Sequence, residues 1–422
     1  MSTLHHRTGP VRHVPGMRMV EHRFAVPLHP GSDRTIELFA REVRAPAAAD
    51  DDRPYLLMLN GGPGQPAARP DVLDGWLPRA LRGFHVVLLD QRGTGLSSPV
   101  TARSLAAVAP GDAAAQAEHL AHFRADAIVR DAEAIRPAFT GGAPWSILGQ
   151  SFGGFCALTY LSFAPEGVRE AFITGGLPPL TRPADDVYRG TFSRLDTRLA
   201  AYFTRYPDDR AAWERVLAAL EAEPVAMPRG GTLSARRLRT IGLGIGMEPG
   251  FERLHYLIEQ AWDGEALSAT FLEAVEQQLS FTRYPLYAVL HEAVYAQGEA
   301  TRWAAQRILD AHHAPPLLLG EMIFPWMFED EPSLRPFAEV AELLAQRAEW
   351  PRLYDPAQLA ANEVPAVAAV YLDDMYVDAD LSRETASAVG GLRVWLTNEA
   401  QHDGLHRGPV LDRLLAMRRG ER

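Results

Sequence analysis

The 422-residue chain has a single cysteine, Cys156, which excludes an internal disulfide framework and any multi-cysteine zinc site. One thiol fits a reducing compartment. Positive charge is in deficit as well: 42 Lys and Arg stand against 53 Asp and Glu, a formal net charge of −11. Such a body has no electrostatic footprint for a phosphate backbone, so nucleic acid is not expected as a partner. Long hydrophobic runs are missing too. No stretch approaches the roughly 20 apolar residues that a membrane span requires. No apolar run follows the basic residues His5-His6-Arg7, as a secretory signal would need, so the expected location is the cytoplasm with no membrane contact.

What remains is ordinary globular composition, 47% hydrophobic and 23% charged, which argues against disorder. At about 150 residues per domain the length suggests two or three domains. Residues 21–27 and 35–43 alternate or run apolar around a Pro-Gly-Ser-Asp turn, and read as a hairpin. Short apolar runs at 55–59, 85–89, 145–148 and 171–174 suit strands buried on both faces of a sheet. Residues 116–139 have the spacing of one helix stopped by Gly141-Gly142, and a small-residue helix runs from about 153 to 163. Alternating strands and helices argue for an α/β fold, a mostly parallel sheet covered by helices on both faces. From about 183 to 352 the period is helical throughout, and strand signals return at 364–372 and 392–397. The expected layout is a sheet core over residues 1–181 and 353–422, with a helical cap inserted over 182–352.

The sharpest chemical signal is Gly149-Gln150-Ser151-Phe152-Gly153-Gly154, which follows a strand run and opens a helix. That is the context of the α/β-hydrolase nucleophile elbow. A serine on so tight a turn needs small residues two positions to either side, and the helix N-terminus puts backbone donors beside the reacting oxygen. Asn60-Gly61-Gly62-Pro63-Gly64 also ends a strand run. Its glycines let backbone pass close to a substrate, so the expected oxyanion donors are an N–H of Gly61 or Gly62 and that of Phe152. Asp90-Gln91-Arg92-Gly93 reads as structural, a carboxylate and a guanidinium tying loops together at the same sheet edge.

A serine nucleophile needs a histidine base and an orienting carboxylate, in the order Ser, acid, His on this fold. The 364–372 strand runs into Asp373-Asp374-Met375-Tyr376-Val377-Asp378, and the 392–397 strand into Asn398-Glu399-Ala400-Gln401-His402. Asp374 is the preferred acid, with Asp373 and Asp378 open beside it. His402 is preferred over His406, which lies further from the strand end. His291-Glu292-x-x-Tyr295 lacks the second histidine of a zinc-protease helix, and Gly242-x-Gly244-x-Gly246 reads as a flexible loop rather than a nucleotide site. Neither a metal nor a cofactor is expected.

Gly61-Gly62-Pro63-Gly64, Asp90-Gln91-Arg92-Gly93 and the serine elbow, with the late Asp373–Asp378 and Thr397–Gly404 segments, resemble the prolyl aminopeptidases (proline iminopeptidases) of the α/β-hydrolase fold, in their longer bacterial form. Two positions depart: shorter members usually have His where this chain has Asn60, and Trp where it has Phe152. The resemblance implies a serine exopeptidase that releases N-terminal proline from peptides. It also implies cap-domain glutamates for the substrate amine, and the matching candidates are Glu292 and Glu321, each set among aromatic residues. An esterase or other acyl hydrolase, and a catalytically silent binding protein, are the alternatives on the same scaffold.

Overall fold

The computed structural model describes residues 5–46, 52–313 and 315–421. Among these, the main sheet has ten strands: β1 (His5–Thr8), β2 (Arg12–Val14), β3 (Met17–Pro27), β4 (Thr35–Arg44), β5 (Tyr55–Leu59), β6 (His85–Asp90), β7 (Trp145–Gln150), β8 (Val168–Thr174), β9 (Ala366–Tyr371) and β10 (Leu392–Thr397). Their spatial order is β1-β3-β4-β6-β5-β7-β8-β9-β10, with β2 on β3. The strands from β6 to β10 are parallel, while β3 and β4 form the antiparallel hairpin read from the turn chemistry, in register from Arg18↔Arg44 to Pro27↔Thr35.

The continuous apolar runs have a simple cause, since both faces of the central strands are covered. Leu57 and Leu59 of β5 and Val87 and Leu89 of β6 enter one core. Their neighbours Leu56, Met58, Val86 and Leu88 enter the core on the other face, with Leu411 and Leu414 of the C-terminal helix. With side chains alternating along a strand, no polar face is left to show the period.

The segment read as one helix over 116–139 is two, α1 (Ala113–Ala121) and α2 (Ala125–Thr140). The break comes at Arg124, whose buried guanidinium donates to the carbonyls of Ala293, Ala296 and Pro351. Carbonyls more than 160 residues away in the chain therefore decide it, and no local spacing could show them. The downstream helix does end at Gly141, at φ +66°.

No strand of the main sheet lies between Thr174 and Ala366 among the described residues. That stretch is mostly helical, from α4 (Ala184–Arg205), which follows α3 (Phe152–Phe163), to Ala338–Gln346. It also holds two small ribbons, Val225–Ala226 with Thr232–Leu233 and Trp262–Asp263 with Ala266–Leu267, which are too short to register as strand signals. No helix among the described residues is long and apolar enough to cross a membrane.

Candidate active site

Ser151 sits between β7 and α3 with φ +54° and ψ −125°, a strained conformation for a residue with a side chain. The sharp turn is possible because the helix start packs directly on β5. A Cβ at Gly153 would overlap the Leu59 carbonyl oxygen, so no other residue fits there. Across the turn, Gly61 lies against the nucleophile: a Cβ built on it would stand 3.2 Å from that of Ser151. Neither the Gly61, Gly62 nor Phe152 N–H has a hydrogen-bond partner among the described residues. Gly61 and Gly62 line the same cavity as Ser151, and Phe152 follows it in the chain.

β9 and β10 deliver the other two groups from the sheet's carboxyl edge. Ser151 Oγ donates to His402 Nε2 at 2.9 Å, and His402 Nδ1–H donates to Asp374 Oδ2 at 2.7 Å. The second oxygen of Asp374 accepts the N–H groups of Tyr376 and Val377, at 2.8 and 3.0 Å, which fixes the carboxylate's orientation. Burial by itself lowers the basicity of His402. The charge and hydrogen bond of Asp374, aided by Glu321 and Asp403, outweigh it and hold the imidazole above its ordinary 6.5.

Ser151 and His402 face a cavity of about 470 Å³ that is also lined by Glu321, Tyr284, Tyr287 and Tyr376. Tyr287 donates its hydroxyl to Glu321 Oε1 at 2.8 Å. Burial, and after it the Glu321 charge, push the Tyr287 hydroxyl far above its usual range, so it remains a donor. The loops around the cavity are tied from below. Gln91 Nε2 donates to the Asn60 carbonyl at 3.0 Å, Arg69 holds Asp90 at 2.7 and 2.6 Å, and Arg92 holds the buried Asp131 while also donating to the carbonyls of Leu28 and His122. The Asp-Gln-Arg-Gly segment thus has the scaffolding place read for it.

The alpha/beta hydrolase fold family matches residues 54–263. A proline iminopeptidase of Aeromonas sobria is 45% identical over 416 residues, which is 96% of this chain and 97% of that one. The chain belongs to the proline iminopeptidase family. A proline iminopeptidase of Aspergillus aculeatus is 37% identical over 409 residues, covering 92% and 90%. One from Lactobacillus delbrueckii subsp. bulgaricus is 32% identical over only 139 residues, a third of this chain.

Of the residues singled out for this family from sequence, Ser151, Asp374, His402, Gly61, Gly62, Phe152 and Glu321 come together and Glu292 does not. The buried Glu292 carboxylate accepts the N–H groups of Ala304 and Ala305 at 3.0 and 2.9 Å, capping the helix Ala304–Asp310. It lies outside the cavity lining, and its charge is spent on a helix N-terminus. Asp378 likewise caps a helix, accepting from Asp380 and Leu381, and pairs with Arg194. The Gly242–Gly246 stretch is no flexible loop. It is a 3-10 turn that brings Leu243 to the cavity, and the Gly246 carbonyl accepts the His402 N–H at 3.3 Å. A Cβ at Gly246 would overlap the Tyr376 ring, so the glycine is there for close packing. Tyr287 and Tyr376 are not singled out from sequence: Tyr287 carries no motif, and Tyr376 sits in the Asp373–Asp378 segment with no role readable from residue type.

Proposed function

We propose that this protein is a serine aminopeptidase that releases N-terminal proline from peptides through an acyl-enzyme. The observation that carries the reading is the hydrogen-bonded chain Ser151–His402–Asp374 opening into a cavity whose wall holds a carboxylate, Glu321. A nucleophile alone does not choose its acyl group. A carboxylate among tyrosines does, because a cationic amine leaving water for such a wall needs a countercharge.

In this mechanism the substrate amine pairs with Glu321, and the pyrrolidine ring lies against the aromatic walls. His402 Nε2 takes the Ser151 proton as Oγ attacks the prolyl carbonyl, and Asp374 stabilises the imidazolium. The tetrahedral oxyanion is met by the N–H of Phe152 and by that of Gly61 or Gly62. As the intermediate collapses, the C–N bond breaks and His402 returns the proton to the leaving amine. Water, activated by the same imidazole, then hydrolyses the prolyl ester.

The test compares a free-amine prolyl arylamide, its N-blocked version and a short acyl ester. The reading expects rapid turnover of the first and little of the second. Equal turnover of blocked and free substrates, or a strong preference for the ester, would overturn it in favour of a general acyl hydrolase.

A further inference from the structure

The catalytic cavity does not end at the nucleophile. Asn60, Ala68 and His406 line it, and the same three residues line a second cavity of about 70 Å³. The second cavity has an apolar wall of Met58, Val72, Trp76, Leu77 and Leu88, faced by Asn60, Asp74 and His406. Four of the five apolar residues are buried, while Val72 is 57% exposed and forms the rim. Arg69 also borders it, but its guanidinium is taken up by the two-pronged pair with Asp90.

The two ends of the site differ. Glu321, half-buried, lies within electrostatic reach of the buried Tyr188, Tyr287 and Tyr376 as well as of His402. His406 lies within reach of His402 too, and of Asp403 and Asp74, and Asp74 is a wall of the second cavity. An N-terminal exopeptidase holds the amine at a closed end, so the rest of the peptide must leave the other way. From Ser151 that way passes Asn60, Ala68 and His406.

We infer that the second cavity is the subsite for an apolar side chain of the released peptide, reached across Ala68 on the side of the nucleophile away from Glu321. This inference rests on the aminopeptidase reading above. The buried apolar walls favour a branched aliphatic or similar side chain, and the exposed Asp74 at the edge disfavours an acidic one. Substrate preference therefore extends beyond the proline, and amide substrates with small leaving groups miss it.

The test uses the full-length enzyme with proline amide and three C-terminally amidated peptides: Pro-Gly-Gly, Pro-Leu-Gly and Pro-Gly-Leu. One of the leucine peptides should exceed Pro-Gly-Gly in kcat/KM by roughly tenfold. Val72→Asp should erase that gain while proline amide turnover stays at the wild-type level, and Val72→Leu should keep it. Leucine peptides no better than Pro-Gly-Gly, or a gain that survives Val72→Asp, would overturn the subsite while leaving the aminopeptidase reading intact. Failure to cleave proline amide at all would take both down.

Discussion

Tyr287 donates its hydroxyl to Glu321 at 2.8 Å, an arrangement that occupies one carboxylate oxygen and holds the charge at the wall of the catalytic cavity. Neither residue has a countercharge in the bond they share. In the proposed reading the substrate amine is the partner of this carboxylate.

Glu321→Gln should therefore lower kcat/KM for free-amine prolyl substrates by roughly 10- to 100-fold, the size of a hydrogen bond to a charged group, with little change on a short ester. Tyr287→Phe should have a smaller effect in the same direction. Steady-state kinetics on the two substrate types checks this, and equal losses on both would remove the amine-binding role.

Ser151→Ala should abolish turnover with the fold retained. Asp374→Asn should cost on the order of 10⁴ in rate, because the amide would favour the wrong imidazole tautomer. Asp378→Asn, which touches a helix end and Arg194, should stay near wild-type activity. Parallel kinetics and circular dichroism on the three variants separate the triad acid from its neighbour.

The general base must be neutral to accept the serine proton. Since Asp374, Glu321 and Asp403 together hold His402 above 6.5 despite its burial, kcat/KM should fall as the pH drops through a midpoint above 6.5. Glu321→Gln removes one of the raising charges and should move that midpoint down. A pH profile of kcat/KM for a short ester, which does not need Glu321 for binding, measures both.

Glu292→Ala should act on stability, not on substrate binding. It leaves the N–H groups of Ala304 and Ala305 buried without acceptors, a loss of about 1–3 kcal/mol. Thermal denaturation should show a lowered Tm, with KM for prolyl substrates unchanged in the folded fraction.

Cys156 is fully buried in α3, and burial pushes its thiol far above the range in which it ionises at neutral pH. Thiol reagents should leave the native enzyme active. Rapid inactivation at a rate matching modification of Cys156 would contradict the packing described.

The fold was legible where local pattern and tertiary environment agree. Runs such as Tyr55–Leu59 are apolar throughout because two cores claim alternate residues, and the hairpin announces its own turn. It was illegible where distant groups intervene. The helical period across residues 116–139 is continuous, yet Arg124 breaks it to reach carbonyls of Ala293, Ala296 and Pro351. Gly242–Gly246 looks flexible by composition and is a 3-10 turn packed closely against Leu319 and Tyr376.

By itself the sequence determined the chemistry that depends on residue type and chain order: a serine flanked by glycines between strand and helix, then an acid, then a histidine. Those features survive in one dimension because a turn needs its glycines within a few residues. Sequence prefers Asp374 with Asp373 and Asp378 still open, and offers Glu292 and Glu321 together; the tertiary structure separates them. Each rejected carboxylate finds backbone N–H donors at a helix start, whereas Asp374 bonds His402 and Glu321 lines the cavity, and a carboxylate's partner depends on which groups folding brings within about 3 Å.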